Sequence, residues 1–367
     1  MPVATRAALL RAFNTPLTIE EIILDDPGPG EVVVRLAATG VCHSDYHMLG
    51  GAFKWQLPIV LGHEGAGVVE QVGPDVRGVA VGDHVVLAWI ASCGRCRYCA
   101  SGRPALCADR QGVERAGGPA RMRDASGAEV HQFLDTSAFA ERVLVREEGV
   151  IPIPPDVPLA AAALVGCAVL TGVGAVTRTA RVEPGSTVAI FGAGGVGLNV
   201  IQGAVLAGAA RIIVVDLRPA ALELARRFGA TDTLDASDSA TSDPARAVRK
   251  LTGGGVDYAF EVVGLPVTIT QAWDSLAPGG RAVVVGLTQP RDTVTLRADF
   301  LSEKALLGCI LGSAVPRVDV PRMLDLYRRG RLKLDELTTR RYPLSEVNAA
   351  LDALHAGAGG RGILTFD

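Results

Sequence analysis

Seven cysteines stand at positions 42, 93, 96, 99, 107, 167 and 309, and four of them form the pattern Cys93-x2-Cys96-x2-Cys99-x7-Cys107. Three thiolates at that spacing, with a fourth a short loop later, can close a tetrahedral zinc site of four sulfurs. Such a site keeps no open position, so its role is structural. Arg95, Arg97 and Arg103 interleave with the thiolates and partly offset their charge. A disulfide framework is the weaker reading, because Met1–Arg11 carries no apolar secretory segment. Cys42, His63 and Cys167 are scattered, and spacing alone does not join them. A lone buried thiol ordinarily packs as a small hydrophobe.

A second chemistry is written in Gly192-Ala193-Gly194-Gly195-Val196-Gly197. This G-x-G-x-x-G run follows a strand-like segment, Thr187–Phe191, and opens a helical one. Asp216 lies nineteen residues past the last glycine, at the end of the next strand. That is the context a dinucleotide-binding turn requires, as against an ordinary strand-to-helix turn. The glycines allow the tight turn, the approach of the pyrophosphate and close helix packing, and the helix N-terminus faces the phosphates. Asp216 would accept from a ribose 2′-OH and repel a 2′-phosphate, which favours NAD. Arg218, two residues on, softens the repulsion of NADP.

The elements that must hold these groups fall into two textures. Up to about residue 150, short Val/Ile runs (Val32–Leu36, Gly67–Val72, His84–Leu87, Arg142–Val145) alternate with Gly/Pro turns, the pattern of a β-rich domain. Pro152, Pro154, Pro155 and Pro158 precede an Ala-rich helical stretch. From Thr187, strands at Arg211–Asp216, Tyr258–Val262 and Arg281–Val285 alternate with helices such as Pro219–Phe228, which implies a parallel sheet covered on both faces. Composition narrows the classes. The 36 basic and 39 acidic residues leave a net charge of −3, which argues against a basic nucleic-acid face. The 43 glycines exceed the usual share and call for close backbone approach. Two uncharged stretches, Leu159–Thr177 and Gly185–Ala210, are Ala/Gly-rich rather than Leu/Ile/Phe-rich, so a membrane span is not expected.

Taken together, these motifs resemble the zinc-dependent alcohol dehydrogenases of the medium-chain dehydrogenase/reductase superfamily. The resemblance runs through Gly40–His47, Leu61–Gly73, Cys93–Cys107, His131–Phe139, the glycine motif with Gly208–Asp216, and Arg361–Phe366. It implies an α/β chain made of a Rossmann doubly wound parallel-sheet domain and a β-rich GroES-like catalytic domain. The expected spans are 1–168 for the catalytic domain with its 93–107 lobe, 169–310 for the Rossmann domain, and 311–367 returning to the first. It implies that Cys42, His63 and Cys167 bind a catalytic zinc, so that two zinc ions accompany each chain. By the same likeness Ser44 receives the substrate's proton, His47 passes it outward, Asp45 orients His63, and Glu64 sits beside the metal. His43, Thr171 and Arg361 match cofactor contacts, His43 and Arg361 at the pyrophosphate. Cys309 matches no ligand and is expected in the core.

The implied reaction is reversible hydride transfer between a primary alcohol and NAD, giving an aldehyde. Phe53, Trp89, Phe133, Leu134, Leu287 and Ile310 would line an apolar pocket for a medium-chain or aromatic alcohol. The glutathione-dependent formaldehyde dehydrogenases are close relatives but carry acidic residues where this chain has Gly51-Ala52-Phe53-Lys54-Trp55. That departure argues against a glutathione adduct and leaves another thiol adduct open. A non-catalytic family member would be expected to lose its metal ligands, and all three are present. The Gly112–Ser137 segment occupies the place of a loop found in dimeric members, so a cytoplasmic homodimer joined through its Rossmann sheets is expected.

Overall fold

The run Glu31–Gly40 is mostly apolar and largely buried, with strands paired along both of its edges and its Val32–Val34 and Leu36 side chains in the core. The computed structural model describes residues 2–52, 55–108 and 120–366. Its contacts divide the chain into two units.

The first unit runs to Cys167 and takes in Val315–Gly330 and the chain from Leu334. Strands Val3–Leu10, Thr18–Leu24, Met122–Asp124, Glu129–Gln132 and Ile59–Val60 close into a barrel. A seven-stranded sheet follows the order Val150–Pro152, His84–Leu87, Glu64–Val72, Glu31–Gly40, Arg361–Thr365, Thr338–Pro343, with Arg142–Arg146 also on Glu31–Gly40. Branched side chains of both sheets interleave in one core, among them Ile22, Leu24, Val33, Leu36, Val69 and Val85. The register sets Gly40 opposite Glu64 and, on the other side, Ile363. Three distant stretches of sequence therefore converge where Cys42, His63 and Arg361 stand.

The second unit comprises Ala168–Ala314 with Arg331–Lys333. Six parallel strands take the order Asp232–Asp235, Arg211–Asp216, Thr187–Phe191, Val256–Glu261, Leu276–Val284, Ala305–Gly308. The order reverses between Thr187–Phe191 and Val256–Glu261, which is the switch point of a doubly wound sheet. Helix Pro219–Phe228 has proline in its first turn and Gly229 as a left-handed cap. The stretch returning to the first unit begins at Val315, since Leu311–Ser313 packs on helix Ala168–Gly174. Among the described residues no single helix is long and apolar enough to cross a membrane.

Candidate active site

Cys42 is the N-cap of the short helix His43–Leu49, and Asp45 sits in its first turn. The Asp45 carboxylate is fully buried and accepts from the Cys42 N–H at 3.0 Å and the Gly62 N–H at 3.1 Å. Its Oδ1 also lies 3.0 Å from His63 Nδ1. One carboxylate thus ties together the two segments that bear Cys42 and His63. A ring that donates from Nδ1 leaves Nε2 as its lone-pair face. Cys42, His63, Glu64 and Cys167 bring one donor atom each to within 4.8 Å of one another, all four residues buried.

The chemistry of this donor set suits a dication. The hydrogen bond shared with Cys167 holds Cys42 well below the usual thiol value, while the same bond and burial push Cys167 well above it. Two buried sulfurs sharing a proton, with an imidazole against them, form a soft ligand set that zinc would take by displacing that proton. Glu64 is pushed up to about 7 by burial, against the pull of Arg361. Its approach to the sulfurs depends on Gly40, where a Cβ would lie 2.0 Å from Glu64 Oε2.

Arg361 also reaches this cluster: its side chain is only 2% exposed, and Nη2 donates to Glu64 Oε1 at 2.6 Å and to Cys42 Sγ at 3.4 Å. A carboxylate buried as completely as Glu64 calls for a charged partner, and the arginine supplies it. This pair joins positions too far apart for spacing to reveal.

Ser44 is half-buried, its Oγ 3.9 Å from Cys42 Sγ. His47 lies three residues on, on the same helix face and half-buried, and burial lowers its pKa from the ordinary histidine value. His43 is exposed. Around His63, Trp89 and Phe133 stand edge-on at centroid distances of 6.5 and 6.0 Å. Trp55, which sequence reasoning did not place here, meets Phe133 at 5.4 Å and anchors its indole N–H on Gln132 O. Phe133 is 1% exposed and Leu134 is also buried. Phe53 and Lys54 lie outside the described residues. Leu287, exposed, and Ile310, half-buried, belong to the second unit.

The four lobe cysteines also converge, their sulfurs forming a second group within 4.8 Å. Backbone N–H groups of Cys96, Cys99 and Cys93 point at Cys93, Cys96 and Cys107 sulfurs at 3.4 to 3.5 Å. Such donors favour thiolates and hold Cys96 near 6, whereas burial raises Cys99 to about 12. Among the described residues no further metal-competent cluster occurs. Cys309 is half-buried and accepts from Thr179 Oγ1 at 3.3 Å.

In the second unit Gly192 takes φ +106°, and a Cβ on Gly197 would lie 2.1 Å from Gly192 O, so the turn closes only with glycine. Around Gly194, by contrast, a Cβ would meet nothing within 4 Å. Helix Gly195–Leu206 starts there, Val196 in its first turn, with no side chain capping it. An open glycine cradle at an uncapped helix N-terminus fits a pyrophosphate. Asp216 Oδ2 accepts the Ala193 N–H at 2.7 Å, and Oδ1 accepts the Arg218 N–H and Nε at 3.0 and 3.2 Å. The carboxylate therefore braces the glycine turn. Thr171 is buried in helix Ala168–Gly174.

Comparison with known proteins agrees with this chemistry. A zinc-binding dehydrogenase family model matches residues 195–329, and an alcohol dehydrogenase GroES-like domain model matches residues 28–155. The chain is 40% identical to the NDMA-dependent alcohol dehydrogenase of Amycolatopsis methanolica over 98% of both. It is 36% identical to an S-(hydroxymethyl)glutathione dehydrogenase of Saccharomyces cerevisiae, covering 100% of this chain and 97% of that one. The crystal structure of benzyl alcohol dehydrogenase from Acinetobacter calcoaceticus superposes with a TM-score of 0.92 at 34% identity over the whole of both chains.

Proposed function

We infer the reaction from one premise: the chain belongs to the zinc-dependent alcohol dehydrogenases of the medium-chain dehydrogenase/reductase superfamily. Beyond that class, we propose that it uses NAD, carries two zinc ions per chain, and oxidises medium-chain or aromatic primary alcohols to aldehydes. The observation that carries the reading is the buried Cys42–His63–Cys167 convergence with Glu64 beside it.

Those three residues would hold the catalytic zinc, and Cys93, Cys96, Cys99 and Cys107 the structural one. When bound, zinc supplies a Lewis acid that acidifies the alcohol, and NAD supplies the hydride acceptor. Asp45 fixes the imidazole of His63 so that its free nitrogen points at the sulfurs. Ser44 Oγ takes the alcohol's proton, and His47 receives it on the same helix face and releases it to solvent. Arg361 neutralises Glu64 and so keeps a second anion from competing with the thiolates. Trp89 and Phe133, the latter packed on Trp55, exclude water beside His63 and offer an aromatic surface that suits an aromatic alcohol.

Asp216 supports NAD over NADP. The second unit's outer strand, Ala305–Gly308, and the exposed Phe300, Leu301 and Leu306 support a homodimer formed through that edge. Four cysteines grouped as metal donors, in place of a disulfide framework, support a cytoplasmic setting. Part of the Gly112–Ser137 segment lies outside the described residues.

The test is reduced-cofactor formation across primary, secondary, aromatic and thiol–formaldehyde-adduct substrates with NAD and with NADP. Aromatic or medium-chain primary alcohols with NAD should give the highest kcat/KM, and Asp216→Ala should narrow the cofactor preference. Equal efficiency with both cofactors in the parent protein would reject the NAD assignment. The likeness to a hydroxymethylglutathione dehydrogenase favours one second reading, a thiol adduct as substrate, and the same panel decides it. Light scattering checks the dimer, and a stable monomer would overturn it.

A further inference from the structure

Two backbone irregularities of the second unit meet at one hydroxyl. Helix Ala168–Gly174 continues as a π-helix over Ala175–Ala180, a wide turn that tends to persist where function needs it. Beyond strand Ala305–Gly308, Leu311, Gly312 and Ser313 take φ of +47°, +66° and +52° in succession. Two of the three are not glycine, and L side chains rarely hold that conformation. The Thr179 hydroxyl, on the π-helix, donates to Cys309 Sγ at 3.3 Å and lies 2.8 Å from Ser313 Oγ. With its single proton given to Cys309, Thr179 accepts from Ser313. It therefore grips the turn on both sides.

A second grip comes from the backbone. A Cβ on Gly312 would lie 2.2 Å from Leu170 O, and one on Gly174 would lie 2.5 Å from Gly312 O. The left-handed turn is thus wedged on the helix and latched by Thr179. Strain of this kind persists only where the surroundings over-determine it, and it gathers at functional sites.

The place of the turn says which function. It follows the carboxyl end of the last parallel strand, and Cys309 N–H donates to Val284 O on the strand before it at 3.0 Å. Asp216 stands on the other side of the point where strand order reverses. A dinucleotide straddles that point, its adenosine ribose on the Asp216 side and its nicotinamide half over the strands beyond.

We propose that Thr179 is a positioning residue for the nicotinamide half of the cofactor: by holding Ser313 and Cys309 it keeps the Leu311–Gly312–Ser313 turn in the shape against which the nicotinamide seats. The proposal rests on the reading that this unit binds NAD. The zinc-loaded protein is titrated with NADH, followed by nicotinamide fluorescence, and with ADP-ribose, which presents only the adenosine half. Thr179→Val should weaken NADH about tenfold, the scale of one lost hydrogen bond, and leave ADP-ribose unchanged. Thr179→Ser should restore the parent value, and Ser313→Ala should shift NADH in the same direction as Thr179→Val. In turnover, KM for NAD should rise more than kcat falls. Parent-like NADH binding by Thr179→Val, or equal loss of NADH and ADP-ribose, would overturn the proposal. A parent protein that binds neither probe would instead overturn the cofactor reading, and this inference with it.

Discussion

The two cysteine clusters of the first unit are built by opposite means. In the lobe the sulfurs lie within a few turns of chain, and the ordered contacts are N–H groups of that same chain directed at them. Three of its four cysteines are partly exposed, and the helix Arg97–Ala100 between them buries no residue. In the dispersed cluster every donor is buried and, apart from the Cys42–Asp45 bond, the positioning contacts are long-range: Asp45 to Gly62 and His63, Arg361 to Glu64, Gly40 giving way to the Glu64 carboxylate. The lobe should therefore owe its order to its metal, whereas the dispersed site owes its order to two packed sheets. A metal can make a fold, or a fold can make a metal site.

The largest effect expected from this contrast is on Cys167→Ala. Loss of one of three ligands should lower alcohol oxidation by about a thousandfold or more, several kcal/mol of barrier, while the melting temperature changes little. Cys99→Ala should invert the pattern: loss of one zinc, a clearly lower melting temperature or aggregation, and loss of activity only as a consequence. Metal analysis, thermal denaturation and activity on the same samples check both. Full activity in Cys167→Ala, or full zinc and stability in Cys99→Ala, would break the comparison.

The same contrast governs what could be read from sequence. Cys93–Cys107 and Gly192–Gly197 are legible because chemistry needs those residues at fixed local spacing, and the Rossmann alternation of strand and helix is likewise local. Cys42, His63 and Cys167 were joined only by family resemblance, since their meeting depends on sheet register. The pairing of Arg361 with Glu64 is not legible in the sequence, because no local signal shows a glutamate 297 residues away that needs its charge. Trp55 carried no pattern, and the left-handed turn at Leu311–Ser313 holds a single glycine where three positive φ angles occur. Local spacing reveals ligands, whereas long-range pairing has to be seen.

Asp45→Asn sharpens the comparison at the next scale. The carboxylate now accepts from two backbone N–H groups and faces the imidazole, and an amide cannot accept at all three points. Affinity for the catalytic zinc should fall by about 10- to 100-fold. The lobe zinc should stay in place, so a chelator titration should resolve two classes of ion further apart than in the parent. A uniform weakening of both would mean that the clusters are not independent.

The smallest effect is kinetic and depends on pH. Burial lowers the pKa of His47 from its ordinary value, so protonation is disfavoured in the folded protein. The sign follows: the stability this histidine allows is complete at pH above the unfolded value and is lost as pH falls through the folded one. The neutral imidazole, the form that can accept the alcohol's proton, therefore dominates at pH 7 and persists lower than an exposed histidine would allow. His47→Gln keeps a polar side chain but removes the base. Hydride transfer in a single turnover should slow about tenfold at pH 6–7, where hydroxide is too scarce to replace it. The gap should close as pH rises toward 9, and zinc content should match the parent throughout. If instead the rate were unchanged across pH 6–7, the proton would leave by another route. If it fell equally at every pH, His47 would be shaping the helix that carries Ser44 rather than moving the proton.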